Sequence, residues 1–258
     1  MLLFFLIFQI IFESLPISSS GHTLFLYGDV PMSISFAVHA IAALISVAYL
    51  WWYRREVAHW VENQSFQSLL FFGLALGAVV FGTGVLFCVR WYVQRQYALA
   101  LPCSPDVSIM LGLFFTALLL ASSRYAPVYR TAHRLWFDSI GLILAQGLAL
   151  LVPGVSRMAT VYVAARWLGW SGTAAWYWTV ATGLPLFMGA GVLGVGMILY
   201  SGTFSLVWWQ VVLFLLAIIG SFTIFFGVGL LARRNRLDYF AWYLVVAGLF
   251  FLVRLLFF

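Results

Sequence analysis

The 258-residue chain contains no lysine, only two cysteines, and few charged residues of any kind, which make up 8% of the total. All 13 basic residues are arginines, and most stand in short loops between apolar runs rather than on one solvated face. This distribution excludes a nucleic-acid-binding surface and is typical of arginines that set membrane topology and contact lipid headgroups. Cys88 and Cys103 flank one short loop, where either a disulfide or two unpaired thiols fits the sequence.

Hydrophobic residues make up 65% of the chain. Several apolar runs reach the ~20 residues that a helix needs to cross a bilayer. The runs are too long for the strands of a membrane barrel and lack the alternation that such strands require. The sequence therefore predicts an all-α, polytopic membrane helical bundle. Its clearest spans are 31–52, 66–88, 173–200, 203–229 and 239–258.

The basic loops predict how the spans are oriented. The densest arginine loops, 54–56, 124–134 and 233–236, are expected on the cytoplasmic side. Segments 1–29 and 136–169 must then each return to the face from which they enter. Each is interrupted midway, by "LPISSS" and "VPGVSR" respectively. We therefore predict two re-entrant helical hairpins that enter from opposite faces, the arrangement of an inverted-topology repeat.

A sequence match between the two interrupted segments also indicates a repeat. The first segment has Gln, Pro, Ser and Thr at positions that recur in the second segment with a constant offset. The matched residues are Gln9, Pro16, Ser19 and Thr23 with Gln146, Pro153, Ser156 and Thr160. We predict one membrane domain, 1–258, with repeats of approximately 1–121 and 136–258.

The interrupted segments are expected to form an anion site. Proline ends the first half-helix, and the free N–H groups that begin the second half-helix attract negative charge. Two such termini that face each other near the midplane would form a cradle. Serine and threonine hydroxyls add donors, and the Arg157 guanidinium has a shape that matches phosphate.

Reactive groups stand beside this predicted cradle. A carboxylate within a membrane, such as Glu13, is functional by default, and His22 can move a proton near neutral pH. Together with a hydroxyl and Arg157 they favour a phosphoryl-transfer or phosphate-hydrolysis site. The alternatives are a structural Glu13–Arg157 ion pair and, for Ser18, a hydrogen bond to its own backbone. His39 either lines the cavity or is a satisfied buried histidine, and we favour the second interpretation.

Two motifs carry a family resemblance. "QIIFESLPISSSGH" and "ALLVPGVSR" resemble the two motifs of the bacterial undecaprenyl pyrophosphate phosphatases, and weaker similarity extends over nearly the whole chain. The resemblance implies a hydrolase, associated with bacitracin resistance, that removes the terminal phosphate of undecaprenyl pyrophosphate at the outer face of the bacterial inner membrane. The product is the lipid carrier for peptidoglycan synthesis. The chain departs from the family at "SRMAT", Ala37 and Leu244.

For a hydrolase, the chemistry of these residues predicts their roles. Ser19 is the expected nucleophile with His22 as acid/base, and a water activated by His22 or Glu13 is the alternative. Glu13 either orients these groups or binds a divalent cation, Mg²⁺ or Ca²⁺, shared with the pyrophosphate. Arg157 is expected to stabilise the developing charge. The expected substrate-binding residues are Gln9, Ser20, Gly21, Ser156 and Thr160.

A transport function is the alternative to hydrolysis. Inverted repeats serve alternating access in secondary transporters, and the same anion site would suit a polyprenyl-phosphate flippase. The expected partners are a polyprenyl pyrophosphate and membrane lipids, and a homodimer is left open.

Overall fold

We describe the protein from a computed structural model. It describes residues 2–28, 31–56, 105–127, 135–201 and 208–257, together with isolated positions between 73 and 89. Most of the predicted span 66–88 and Cys103 lie outside the described residues.

The described segments are helical, as the apolar runs predict. The α-helices are α1 (Leu2–Glu13), α2 (Ser19–Tyr27), α3 (Met32–Trp52), α4 (Pro105–Ser122), α5 (Leu135–Leu151), α6 (Arg157–Trp167), α7 (Gly172–Ser201), α8 (Trp208–Arg233) and α9 (Tyr239–Phe257). Among them, α3, α4, α7, α8 and α9 are long and apolar enough to cross a membrane. The prediction of an all-α bundle with several spans is confirmed.

Both interrupted segments consist of two shorter helices joined by a break. Residues 14–18 separate α1 from α2, and residues 152–156 separate α5 from α6. The helices of each pair contact each other. We call 1–28 the first helix pair and 135–168 the second helix pair. That the two pairs re-enter the membrane from opposite faces, as halves of an inverted repeat, stays a prediction.

The long helices form the frame that holds these pairs. α3 packs along α7, where a Cβ added at Gly191 or Gly194 would collide with α3 backbone atoms. Glycine thus lets the two backbones approach closely at these two positions. α4 packs against α9, with Gly248 against the ring of Phe114.

Side-chain hydrogen bonds connect both helix pairs to other parts of the bundle. The Ser14 hydroxyl lies 2.5 Å from that of Ser221 on α8, which donates to the Ile10 carbonyl at 2.8 Å. At the far end of the second pair, Arg166 donates to the carbonyls of Trp170 and Ala126 at 2.5 and 3.3 Å. The contacts with Ser221 and Ala126 join segments far apart in sequence, so each helix pair has a defined position in the bundle.

Candidate active site

The two breaks meet in the interior of the bundle. A Cβ added at Gly21 would lie 3.0 Å from the Gly154 Cα, so the start of α2 touches the second break directly. Gly154 has a φ of 84°, and a Cβ there would collide with the backbone of Ile109 on α4. Only glycine combines this left-handed conformation with so close an approach. The contact therefore fixes the N-termini of α2 and α6 next to each other.

Both of these N-termini carry a serine cap. The Ser18 side chain accepts from the Gly21 N–H, and the Ser156 side chain accepts from the Ala159 N–H, each at 3.4 Å. In addition, the Ser156 N–H donates to the Thr116 hydroxyl at 3.1 Å. As N-caps, Ser18 and Ser156 occupy equivalent positions in the two helix pairs. The sequence match instead aligns Ser19 with Ser156, which differs by one residue.

A cavity of about 410 Å³ lies at this meeting point. The first helix pair, the second helix pair, α3 and α7 all line it. Its polar lining residues are Gln9, Glu13, Ser18, Ser19, Ser35, His39, Ser156 and Arg157. Apolar side chains, including Phe36, Leu150, Leu186 and Leu193, form much of the remaining wall. A cavity with clustered polar groups and an apolar wall fits an amphiphilic ligand.

Ser18 has an uncommon backbone conformation at the rim of this cavity. Its φ of 61° places a non-glycine residue in the left-handed region. Such a conformation costs of order 1–3 kcal/mol, and it is found preferentially at functional sites. Ser18 thereby caps α2 while the chain turns sharply enough to place Ser19 beside α1.

Glu13 connects two groups in the cavity. The Ser19 hydroxyl donates to Glu13 Oε2, and His39 Nε2 lies 3.7 Å from Glu13 Oε1. Among the described ion pairs Glu13 is matched with His39 on α3 and not with Arg157. A carboxylate that accepts from a serine hydroxyl is placed to take its proton.

The Arg157 guanidinium faces the cavity over an aromatic ring. Its Cζ lies 4.1 Å from the centroid of the Phe187 ring on α7, a cation–π distance. Within the described part of the chain, no hydrogen bond or ion pair engages its N–H groups. These donors are thus available to a phosphate, which they match in geometry.

His22 lies outside the cavity. Its Nδ1 is 2.9 Å from the Ser18 carbonyl oxygen and its Nε2 is 3.2 Å from the Tyr243 hydroxyl on α9. A carbonyl only accepts, so Nδ1 carries the proton and Nε2 accepts from Tyr243. The ring is buried and stacked on that of Tyr243. The acid/base role of His22 stays a prediction.

The structure brings most of the predicted residues into one site. Five of them line the same cavity: Gln9, Glu13, Ser19, Ser156 and Arg157. The first three belong to the first helix pair, and the last two lie more than a hundred residues later in the sequence.

Two other predicted residues are buried beside the cavity. Gly21 packs on the second break, and the Thr160 hydroxyl donates to the Arg157 carbonyl at 2.9 Å. The side chain of Ser20 lies outside the described residues. The binding roles of these three residues stay predictions.

The oxygen atoms in the cavity could coordinate a divalent cation only together with a bound substrate. Within the described residues no group of three or more His, Cys, Asp or Glu side chains is close enough to hold a metal. Gln9 Oε1, however, is buried without a hydrogen-bond partner in the described structure, one helical turn from Glu13. One amide oxygen and one carboxylate match the usual Mg²⁺ site, which substrate phosphates and waters complete.

The residue that sequence reasoning ranked too low is His39. Its ring lines the cavity and contacts those of Phe36 and Phe187 at 6.2 and 5.6 Å between centroids. A lone histidine in an apolar span gives no signal by itself. The available signal was the spacing of Ser35 and His39 on α3, which equals the spacing of Gln9 and Glu13 on α1.

A family model described as Bacitracin resistance protein BacA matches residues 3–250. The chain is 28% identical to "Undecaprenyl-diphosphatase 1" of Halalkalibacterium halodurans, over 94% of this chain and 91% of that protein. It is 25% identical to "Undecaprenyl-diphosphatase" of Halothermothrix orenii, over 96% and 97% of the two chains. A third relative, "Undecaprenyl-diphosphatase" of Rhodopirellula baltica, is 26% identical over 94% and 93%.

Proposed function

The chain belongs to the Bacitracin resistance protein BacA family, and on this premise we propose that it hydrolyses undecaprenyl pyrophosphate to undecaprenyl phosphate and phosphate. It is a multi-pass membrane protein, since five of its described helices are long and apolar enough to cross a bilayer. The enzyme is an undecaprenyl-diphosphatase, a phosphoric anhydride hydrolase, and its product returns the lipid carrier to peptidoglycan synthesis.

One observation carries this proposal beyond the family resemblance. Ser19 and Arg157, which belong to different helix pairs, line one cavity together with Glu13. A hydroxyl and a guanidinium at two helix N-termini, with a carboxylate base beside them, are groups that phosphoryl transfer needs. The apolar wall of the same cavity suits the prenyl chain of the lipid.

The first chemical step follows from this geometry. The Ser19 oxygen attacks the terminal phosphorus while its proton passes to Glu13, with which it already shares a hydrogen bond. The bond between that phosphorus and the bridging oxygen breaks, and the electron pair leaves with undecaprenyl phosphate. Arg157 and the N–H groups at the start of α6 stabilise the negative charge on the phosphate oxygens.

A water molecule completes the reaction. It attacks the phosphorus of phosphorylated Ser19, gives a proton to the serine oxygen as that bond breaks, and releases inorganic phosphate. The proton that Glu13 took in the first step leaves to solvent or product, so the enzyme returns to its starting state. Direct attack by a water that Glu13 activates gives the same products without the covalent intermediate.

A divalent cation, Mg²⁺ or Ca²⁺, fits beside these groups. Gln9 Oε1 and Glu13 would hold it together with phosphate oxygens, and it would neutralise part of the charge of the diphosphate.

The location of the reaction is also part of the proposal. We place the protein in the bacterial inner membrane with the cavity open toward the outer face, as the resemblance to the undecaprenyl pyrophosphate phosphatases implies, and with the arginine loops in the cytoplasm. A homodimer stays an open expectation.

The experiment that tests the function is product analysis with purified protein in detergent. A C15 or C55 polyprenyl diphosphate should yield lipid monophosphate and inorganic phosphate in equal amounts. If neither product forms with any of the divalent ions supplied, the proposed hydrolysis is wrong.

The purified protein, reconstituted into lipid vesicles, tests the transport alternative. The relatives are named for hydrolysis, so transport is not favoured. Movement of lipid phosphate across the vesicle bilayer, without release of inorganic phosphate, would favour transport instead.

A further inference from the structure

α1 and α3 face each other through two matched pairs of polar residues. Gln9 and Glu13 lie one turn apart on α1, and Ser35 and His39 lie one turn apart on α3. Gln9 Nε2 donates to the Ser35 hydroxyl at 3.0 Å, and His39 Nε2 lies 3.7 Å from Glu13 Oε1. The same spacing on both helices sets both contacts at once, because residues four apart share a helix face.

The His39 ring is held in a fixed orientation. Its Nδ1 lies 2.9 Å from the carbonyl oxygen of Ser35, which can only accept, so Nδ1 donates. Phe36 and Phe187 contact the ring from α3 and α7. With Nδ1 and the ring plane fixed, Nε2 points to Glu13. Because Nδ1 already carries a proton, an N–H at Nε2 exists only in the imidazolium form of His39, and in that form the contact is an ion pair with the carboxylate.

We infer that His39 is a positioning residue that holds the Glu13 carboxylate with one oxygen toward Ser19. Oε1 faces His39 and Oε2 accepts from the Ser19 hydroxyl, so the two contacts define the orientation of the carboxylate. This inference rests on the proposed hydrolysis, in which Glu13 takes the proton of Ser19. None of the sequence motifs includes His39, and its role follows from its place beside Glu13.

Among the described ion pairs the partner of Glu13 is His39, and Arg157 interacts with Glu13 through charge from beyond ion-pair distance. Arg157 lines the same cavity, but its guanidinium stacks on Phe187. α7 offers the ring of Phe187 on the other side of His39. Without His39, rotation of the Glu13 carboxylate would cost little, and Ser19 would lose an aligned acceptor.

The test compares His39 variants by kcat and KM for phosphate release from a C15 diphosphate. His39→Phe keeps a ring of similar shape and removes both nitrogens. We expect kcat to fall about 10- to 100-fold with little change in KM, since misplacing a reacting group has effects of this size. His39→Gln retains a donor near the Nε2 position and should recover part of that loss. His39→Asn is too short to reach Glu13 and should not.

A double mutant separates positioning from packing. In a Glu13→Gln background, His39→Phe should lower kcat by less than about twofold, because residues that act through each other are not additive. Ser46→Ala is the matched control on α3, since among the described residues the Ser46 hydroxyl bonds only the Ala42 carbonyl of its own helix, at 2.8 Å. This control should keep the wild-type kcat.

The outcomes distinguish the inference from the function on which it rests. A wild-type protein that releases no phosphate overturns the proposed function itself. If the wild type is active, two results overturn the role of His39. One is a wild-type kcat in His39→Phe. The other is an equal fold-loss of kcat from His39→Phe in the wild-type and the Glu13→Gln backgrounds.

Discussion

At the scale of single residues, the two histidines near the cavity have different surroundings. His39 faces the cavity and Glu13, whereas His22 is buried against α9 with both ring nitrogens hydrogen-bonded. His22 Nδ1 donates to the carbonyl of Ser18, the residue before Ser19. His22 therefore connects the start of α2 to Tyr243 and contributes to the position of the first helix pair.

Substitution of Tyr243 tests this connection. Tyr243→Phe removes the donor to His22 Nε2 and should lower the free energy of unfolding by about 1 kcal/mol, the usual net value of one hydrogen bond. We expect thermal unfolding in detergent to show this loss while kcat for phosphate release stays close to the wild-type value. A large fall in kcat without a change in unfolding temperature would contradict the structural role and support proton transfer by His22.

The motif residues were predictable because their chemistry is unusual for a membrane. Glu13, Ser19 and Arg157 stand out in an apolar sequence, and the structure places all three at one cavity. The importance of His39 was not predictable in this way, because it depends on the register of α3 against α1. The direction of the His22 ring depends likewise on α9, more than two hundred residues away in the chain.

At the scale of helices, the contact between the two breaks determines whether the site forms. Glycine at 21 and 154 lets the start of α2 touch the second break, and Gly154 also packs on the α4 backbone at Ile109. The sequence predicted the breaks from their prolines and glycines. It did not predict α4 as the surface against which the second break packs, since that contact joins residues 45 positions apart (154 minus 109).

A methyl group at Gly154 should disturb this contact. Gly154→Ala would place a Cβ at a φ of 84° and against the Ile109 backbone, so it should destabilise the fold by about 1–3 kcal/mol and reduce phosphate release. The measurements are thermal unfolding in detergent and kcat.

The matched control for this substitution is Gly220→Ala on α8. A Cβ at Gly220 has no neighbour within 4 Å in the described structure. The control should unfold at or above the wild-type temperature, since alanine favours helix. If Gly154→Ala behaves like this control, the close contact of the breaks is not required.

At the scale of the whole molecule, the long helices form a frame, and the two helix pairs contribute most of the polar groups that line the cavity. The spans were predictable from length and hydrophobicity alone, since a helix must cover the thickness of the bilayer. The place where the two helix pairs meet was not predictable, because it depends on how the helices pack, and their apolar sequences do not specify which helices are neighbours. That the two pairs are related by an inverted repeat stays a prediction from sequence.

Removal of divalent cations tests one property of the complete site. A chelator should lower phosphate release by about 10-fold or more, because a cation neutralises diphosphate charge in the transition state. Added Mg²⁺ or Ca²⁺ should restore the rate, and Gln9→Ala should raise the concentration required. A chelated protein that keeps its full rate would show that Gln9 and Glu13 act without a cation.

The central claim is that both helix pairs build one hydrolytic site. The measurement that tests it most directly is the rate of phosphate release from a C15 diphosphate by the wild type, Ser19→Ala, Arg157→Ala and the double variant. We predict an active wild type and a loss of about 100-fold or more in each single variant. The double variant should lose little beyond the larger single loss, since groups that act as a unit are not additive. Full activity in either single variant would contradict the claim, as would multiplicative losses in the double variant.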